Sequence, residues 1–461
     1  MKRAAALAAR CAGRLDALLQ GSGITALLVA YSGGLDSTVL LHLLRDYTQT
    51  RGLHLRAHHV DHALQSASAA WNARCAEVAA RLGVTYSAER LASAPPAGAS
   101  IEEWARHARY AALLACTDGH TALLTAHHQD DQAETVLLHA LRGSGPHGLA
   151  GIRAHGRYGD TRLLRPLLDE SRAELSVYAD VHALRWIDDP SNAEQRFARN
   201  RLRGALLPEL ERAFPGAAAA LARVATLQGE VVQVLDALAD QMIGTAHTLP
   251  LSCLRDSAPP LRPYLIKRWL VRRGGPPPGR AQLEHIVHDM LHARVDGAPA
   301  VVWRGVAVRR YDDHLFMTAA RLPVPAQHSA SWSSPWAALV LAHGELSAQV
   351  AAEQGLDARR LGEGSLSVRY RCGGERLRLH AGGPRRALKH LFQEWRVPPW
   401  QRASWPLLYV GERLAAVPGY AVAAEFRIVV AGPGLLFNWQ SRDCYQVGVR
   451  VRTTTVASCR A

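Results

Sequence analysis

Cysteine is scarce and unpaired in this chain: seven residues among 461, at positions 11, 75, 116, 253, 372, 444 and 459, with no Cys-x-x-Cys spacing. An odd, scattered set excludes a disulfide framework and a cysteine-built zinc site, and fits a reducing compartment. Long apolar runs are also missing, so no segment reads as a membrane span. Arg10, Arg14 and Asp16 interrupt any signal-peptide core near the start. The expected location is therefore cytoplasmic, with no membrane partner. Lysine is almost absent, with only Lys2, Lys267 and Lys389 among 54 basic residues. Arginine suits bidentate phosphate contacts, but the abundance of alanine traces most of the exchange to coding bias. That bias does not account for the excess of basic over acidic residues, 54 against 40, or the net charge of +14. Such a surplus points to a polyanionic partner, most economically a nucleic acid.

The composition that is present, 48% hydrophobic with 20% charged, is that of a globular protein, and the length suits two or three domains. Residues 24–190 alternate strand-like and helix-like segments. Strands are predicted over 24–30, 53–60, 84–87 and 122–126, and helices over about 37–51, 67–82 and 101–116, with a loop at 92–100. This alternation predicts an α/β domain with a parallel sheet and helices on both faces, its ligands at the carboxyl ends of the strands. A long amphipathic helix is expected over 214–242, and a hairpin over 301–303 and 306–311. The proline- and serine-rich stretch 321–336 reads as a linker. The expected organisation is a catalytic domain at 1–212, a mostly helical middle domain at 213–322 and a small α+β domain at 345–440. The tail 441–461 has little pattern.

Three chemistry-bearing segments fall at predicted strand ends. The first is Ser32-Gly33-Gly34-Leu35-Asp36-Ser37-Thr38, after the run Ala26-Leu27-Leu28-Val29-Ala30-Tyr31. Paired glycines let backbone approach phosphate oxygens, the hydroxyls of Ser37 and Thr38 add donors, and the following helix presents free N–H groups and a positive dipole end. No Gly-Lys-Ser/Thr follows, so this is not the usual P-loop. Asp36 inside a phosphate cradle implies Mg²⁺ between the charges. The second segment, His59-Val60-Asp61-His62, gains weight only by sharing the rim. The third is Ala126-His127-His128-Gln129-Asp130-Asp131-Gln132-Ala133-Glu134-Thr135. It packs two histidines and three acids between a strand and a helix, a density suited to metal binding, a cationic substrate or proton transfer. A solvated acidic helix start is the plain alternative.

Other polar clusters are weaker. Glu102, Glu103, Arg106, Arg109 and Tyr110 share one predicted helix, where a Glu102–Arg106 pair is as good a reading as a ligand role. Arg142 opens the glycine-rich loop 142–151. Residues 188–192 precede the basic stretch 196–203, which is either a phosphate contact or a solvated face. Residues 366–405 hold nine Arg or Lys, two acids (Glu375 and Glu394), and Trp395, Trp400 and Trp405. Cations and rings in this mixture suit RNA, although core packing claims most of the tryptophans.

The loop 32–37 resembles the signature of the N-type ATP pyrophosphatases, the PP-loop family, which has the adenine nucleotide alpha hydrolase-like fold. The tRNA(Ile)-lysidine synthetase branch of that family matches further: His59 to Leu64, Ile101-Glu102 with Arg106 and Arg109-Tyr110, 126–135, 141–145, Arg165-Pro166-Leu167-Leu168, 188–192 and Arg199-Asn200, in that order. The stretches 371–376, 388–394 and 397–402 are similar to that branch's C-terminal domain. Gln65 departs from it, standing where arginine is frequent. The resemblance implies two steps. The C2 oxygen of the wobble cytidine in the CAU anticodon of tRNA(Ile) attacks the α-phosphate of ATP and expels diphosphate. The amine of L-lysine then displaces AMP, giving lysidine. On this reading Ser32, Gly33, Gly34, Leu35, Asp36, Ser37 and Thr38 hold ATP, and Asp36 positions Mg²⁺. Asp131 and Glu134, with Asp130, offer carboxylates for the lysine ammonium or its proton. His127 stabilises charge near the α-phosphate, and Arg106 or Arg109, with Arg142, contacts phosphate or base. The basic middle and C-terminal regions grip the tRNA, and a homodimer stays open.

Three rivals remain. A tRNA-thiolating PP-loop enzyme typically needs Cys-x-x-Cys or an iron–sulfur cluster, and the chain has no such cysteine pair. An amidating ligase needs no basic C-terminal domain. An inactive RNA-binding module would not need Asp36, His127, Asp131 and Glu134 together.

Overall fold

The structure, a computed structural model, describes residues 1–61, 68–91, 101–188, 198–293, 299–320, 329–352, 354–361, 365–429 and 432–441. His62 to Gln65, the 92–100 loop, residues 189–192, residues 321–328 of the stretch read as a linker and the tail from 442 lie outside the described residues, as do the side chains of Glu102 and Glu103. Two compact units form, Met1–Val234 and Leu235–Ala461.

The first unit is built on a six-stranded sheet of β1 (Ala26–Ala30), β2 (His54–Asp61), β3 (Thr85–Arg90), β4 (Thr121–Leu124), β5 (His155–Tyr158) and β6 (Thr161–Leu164), ordered β3-β2-β1-β4-β6-β5. All neighbours run parallel except the β5–β6 hairpin. Sequence alternation missed that hairpin because its strands are four residues each and β5 is mostly exposed. β1 is apolar throughout because both of its faces are covered. Leu27 and Val29 join one buried cluster and Leu28 joins another on the opposite face, as expected of a central parallel strand.

Helices α1 (Lys2–Leu19), α2 (Leu35–Arg51), α3 (Ser68–Arg81), α4 (Ile101–Ala115), α5 (Gln129–Leu141), the single turn α6 (Pro146–Leu149) and α7 (Arg172–Val181) surround the sheet. In α1 the buried residues Ala4, Leu7, Cys11 and Leu15 recur every three or four positions, one helical stripe, and the helix packs on α7 and α2. Each fully buried leucine there contributes about 2 kcal/mol. The helix α2 starts two residues earlier than its polar sequence suggested, with Gly34 as N-cap, and ends at Gly52 in the left-handed conformation (φ 64°). After α8 (Ala198–Arg201), a π-helical stretch, Leu202–Leu206, leads into α9 (Leu207–Ala213) and α10 (Ala217–Ile243).

The second unit holds two buried clusters. One joins Ile266, Trp269 and Ile286 to strands Val306–Tyr311 and His314–Ala319 of a four-stranded antiparallel sheet. The expected 301–303/306–311 hairpin is there, as Ala300–Trp303 paired with Val306–Tyr311. The other cluster gathers Trp332, Leu366, Phe392, Leu408 and Trp439. Part of the stretch read as a linker is in fact strand: Ala330–Ser333 pairs with Ser365–Arg369, and buried Trp332 donates its indole N–H to the Ala337 carbonyl at 2.9 Å. A single large side chain between two serines overrides the loop-like composition.

Among the described residues no helix is long and apolar enough to cross a membrane.

Candidate functional site

Because β1 lies between β2 and β4, all parallel, the carboxyl ends of these three strands share one edge. Strand order reverses about β1, the place where open α/β sheets take ligands. At that edge the loop after β1 turns through Gly33 at φ +81°. A Cβ there would stand 2.6 Å from the Cys75 sulfur and 2.8 Å from Ile187 Cδ1. Both conformation and space demand glycine. The Gly33 carbonyl accepts the Ile187 N–H at 2.9 Å, tying the loop to the chain after α7. Ser32 and Ser37 hydroxyls lie 3.0 Å apart, and Ser37 donates to the Gly34 carbonyl at 3.1 Å. Thr38 is buried, with its hydroxyl 3.3 Å from Tyr31 Oη. Leu35 turns its side chain into the core, so it meets a ligand through backbone alone. Ser32 is exposed at the lip.

Asp36, in the first turn of α2, faces the third segment. Its Oδ2 lies 3.6 Å from His128 Nε2 and its Oδ1 3.9 Å from Arg172 Nε. These are ion contacts, too long for hydrogen bonds. Asp36 Oδ1 and both ring nitrogens of His128 are buried without a hydrogen-bond partner. His128 is 1% exposed and is also 3.4 Å from Asp131 Oδ2 and 3.9 Å from Asp130 Oδ1. Burial alone would lower its pKa; the carboxylates of Asp36, Asp131 and Asp130 outweigh burial and raise it. The three acids around the imidazole thus favour its protonated form.

The acids on α5 already have cationic partners. Arg203 places Nε 2.6 Å from Glu134 Oε1 and Nη2 3.1 Å from Oε2, and bridges to Asp131 Oδ1 at 2.7 Å. Arg199 Nε lies 3.1 Å from Glu134 Oε2. Glu134 is completely buried, whereas Asp131 keeps 13% of its side chain exposed. Burial pushes the Glu134 carboxyl up against the pull of Arg203. Burial pulls the Asp131 carboxyl up as well, yet His128, His127 and Arg203 together hold it below the usual range. Two neighbouring carboxyls with diverging acidities are a signature of divided labour. Within the basic stretch, Arg199 and Arg203 are accordingly internal partners of the acids rather than part of a solvated face. Arg199 and Arg203, four apart, match Asp131 and Glu134, three apart, and that complementary spacing was the only signal in the sequence.

His127 hydrogen-bonds Thr125 Oγ1 through Nδ1 at 2.8 Å. Burial pushes its imidazole down to about 3, with Arg165, Arg109 and Arg199 adding to the effect and Asp131 opposing it, so the ring is neutral at working pH. Arg109, half-buried, and Arg165, buried, act on it electrostatically, each with a buried Nε that has no hydrogen-bond partner. Arg106 is exposed and lies over the Tyr110 ring at 5.2 Å. Of the two arginines singled out on α4, Arg109 is therefore the one whose charge reaches His127. Arg142 caps the far end of α5, about 16 Å along the helix from Asp131, and does not join the site.

In the second unit, the three tryptophans read as base-stacking candidates are packed. Trp395 stacks on Tyr420 at 5.0 Å, Trp405 donates its indole N–H to the Pro418 carbonyl at 3.0 Å, and Trp400 meets Phe316 edge-on at 5.3 Å.

Among the described residues no group of three or more His, Cys, Asp or Glu is placed to hold a metal ion. Asp36 Oδ1 nevertheless has no hydrogen-bond partner, which fits a Mg²⁺ ion that takes one protein carboxylate and completes its shell with phosphates and water.

Residues 7–210 match the model of the PP-loop domain, 249–316 that of the TilS substrate binding domain and 366–439 that of the TilS substrate C-terminal domain. A tRNA(Ile)-lysidine synthase of Alkalilimnicola ehrlichii is 41% identical, over 88% of this chain and 91% of its own. Another, of Ralstonia nicotianae, is 39% identical over 92% and 94%. Among solved structures, a U34-tRNA thiolase of Methanococcus maripaludis is 17% identical with a TM-score of 0.41, covering 48% of this chain and 78% of that one.

Proposed function

This chain belongs to the tRNA(Ile)-lysidine synthase family, and from that premise we propose how its residues divide the reaction. The enzyme uses ATP to ligate L-lysine to C2 of the wobble cytidine in CAU-anticodon tRNA(Ile), through an adenylylated tRNA, releasing diphosphate and AMP. The observation that carries the reading is the meeting, at one sheet edge, of a glycine-shaped phosphate loop and a buried acid pair already neutralised by arginine.

The loop 32–38 receives the ATP phosphates: backbone at Gly33 and Gly34 approaches them, and the start of α2 supplies N–H groups and dipole. Mg²⁺, when bound with ATP, would neutralise phosphate charge beside Asp36. His127, neutral and held through Nδ1, is free to donate from Nε2 to an α-phosphate oxygen, and Arg109 stands behind it to meet charge that grows during attack. Arg106, exposed on α4, would contact phosphate or base.

In the second step a lysine ammonium must be bound and deprotonated before its nitrogen attacks. Asp131, the more exposed and more acidic carboxyl, receives the cation. Glu134, whose carboxyl is pushed up, is the better proton acceptor of the two. Arg203 spans both carboxylates in the place where an ammonium would sit, so one cation exchanges for another and the pocket stays neutral. The basic surface of the second unit supplies sequence-independent grip on the tRNA. The unpaired cysteines suit the cytoplasm.

The test is to incubate enzyme, ATP and labelled L-lysine with CAU-anticodon tRNA and measure label in RNA. ATP- and enzyme-dependent incorporation is expected. No incorporation from lysine, with incorporation from a sulfur donor, would move the chain to the thiolating class.

A further inference from the structure

Arg172 has no part in the reaction described above, yet its position is unusually determined. It is the first residue of α7, and its backbone N–H donates to Asp130 Oδ1 at 3.2 Å. The preceding residue, Ser171, caps the helix, with its Oγ accepting the Glu174 N–H at 3.2 Å. One residue earlier, the Glu170 carbonyl accepts the Gln129 N–H at 2.9 Å, at the first residue of α5. The Glu170 side chain, 1% exposed, is clamped from α1 by Arg10 and by Arg14, the latter at 2.7 Å. Segment 170–172 is therefore a strut joining α1 to the start of α5, and from it the Arg172 side chain reaches the phosphate loop. Its Nε lies 3.9 Å from Asp36 Oδ1, and half of the side chain is exposed at the mouth of the site.

We propose that Arg172 is a further catalytic residue, the cation that binds the leaving diphosphate; this rests on the reading of the loop as the ATP site. In the first step a C2 oxygen forms a bond to the α-phosphorus, and the bond from that phosphorus to the bridging oxygen breaks. The electron pair leaves with the diphosphate, which gains negative charge. A guanidinium meets that charge with parallel N–H donors. Arg172 addresses the loop side of the site, through Asp36. Arg199 and Arg203 address Glu134 and Asp131 instead. That division assigns Arg172 to the phosphates, not to the lysine carboxylate. Its contact with Asp36 at 3.9 Å is too loose to hold it once a better anion arrives.

The experiment is tRNA-dependent exchange of labelled inorganic diphosphate into ATP, without lysine, for wild type, Arg172→Ala and Arg172→Lys, with direct calorimetric binding of inorganic diphosphate alongside. Arg172→Ala should raise the KM for diphosphate and weaken its binding about ten- to hundred-fold, the loss expected for a charge-assisted pair. The lysine KM in full ligation should stay within about two-fold, and Arg172→Lys should restore part of the diphosphate affinity. Unchanged diphosphate KM and binding in Arg172→Ala, or a lysine KM that rises as much as the diphosphate KM, overturns the assignment. Failure of the wild type itself to exchange diphosphate would instead overturn the ATP reading beneath it.

Discussion

Residues 125–135 and residues 371–405 are both charged, polar stretches studded with rings, and the fold treats them in opposite ways. In the first, the charges go inside. His128 is 1% exposed, Glu134 is completely buried, and each is bracketed by groups of opposite sign. In the second, the rings go inside and, apart from the Arg371–Glu375 pair at its start, charges stay out: Trp395 and Trp405 pack around Tyr420, while Arg386 and Arg396 keep 41% and 74% of their side chains exposed. A buried charge is costly to move and so fixes geometry. An exposed guanidinium is screened and mobile, which suits a grip on a polyanion. The contrast separates the part of the molecule that does chemistry from the part that holds the substrate.

The sharpest way to break the contrast is at Asp36. Asp36→Ala should lower both diphosphate exchange and lysine transfer by about 10³-fold, with tRNA binding by filter retention unchanged. Retained exchange would show that the loop does not work as described. Next, Glu134→Gln leaves Arg203 and Arg199 in the interior without their carboxylate, and should cost about 3 kcal/mol of stability in urea unfolding. A change below 1 kcal/mol would mean the buried pair is not structurally fixed.

A smaller effect concerns acid. Burial favours a raised carboxyl at Glu170, but the hydrogen bonds and charges of Arg10 and Arg14 hold it below its ordinary value. A group depressed in the folded state adds stability above its unfolded pKa of about 4.3, and that stability is lost as pH falls through the lower folded value. Glu170→Gln should therefore destabilise at pH 7 and show a flatter loss of stability between about pH 5 and 3 than wild type, read by thermal melts across that range. The smallest effect is expected outside. Arg386 pairs with Glu394 on the surface. Arg386→Ala should leave the melting temperature unchanged and reduce the salt slope of tRNA binding by about one.

How far the sequence foretold this contrast depended on the range of the interactions. The phosphate loop was legible because its cause is local: an apolar strand, two glycines and a hydroxyl-rich helix start are contiguous. The edge shared by 32–38, 58–62 and 127–134 was legible from alternation, since parallel strands place their ends together. Arg203 was not, because its partners lie 69 and 72 residues away in the chain and basic helices usually face water. Arg172 was hidden in the same way, set beside Asp36 by a turn whose rigidity comes from α1. His128 stood in the motif but drew less notice than His127, since nothing local says which of two adjacent histidines points inward. Trp332 shows the converse failure: composition read as linker gave way to one buried indole.

If the loop serves adenylylation while the buried acids serve the amine, the two half-reactions should separate in Asp131→Asn. In that variant tRNA-dependent diphosphate exchange into ATP should stay within about three-fold of wild type, while transfer of labelled lysine falls at least 100-fold, roughly the effect of one catalytic charge. Equal loss of exchange and transfer would contradict that division, because the acid pair would then belong to the ATP step as well.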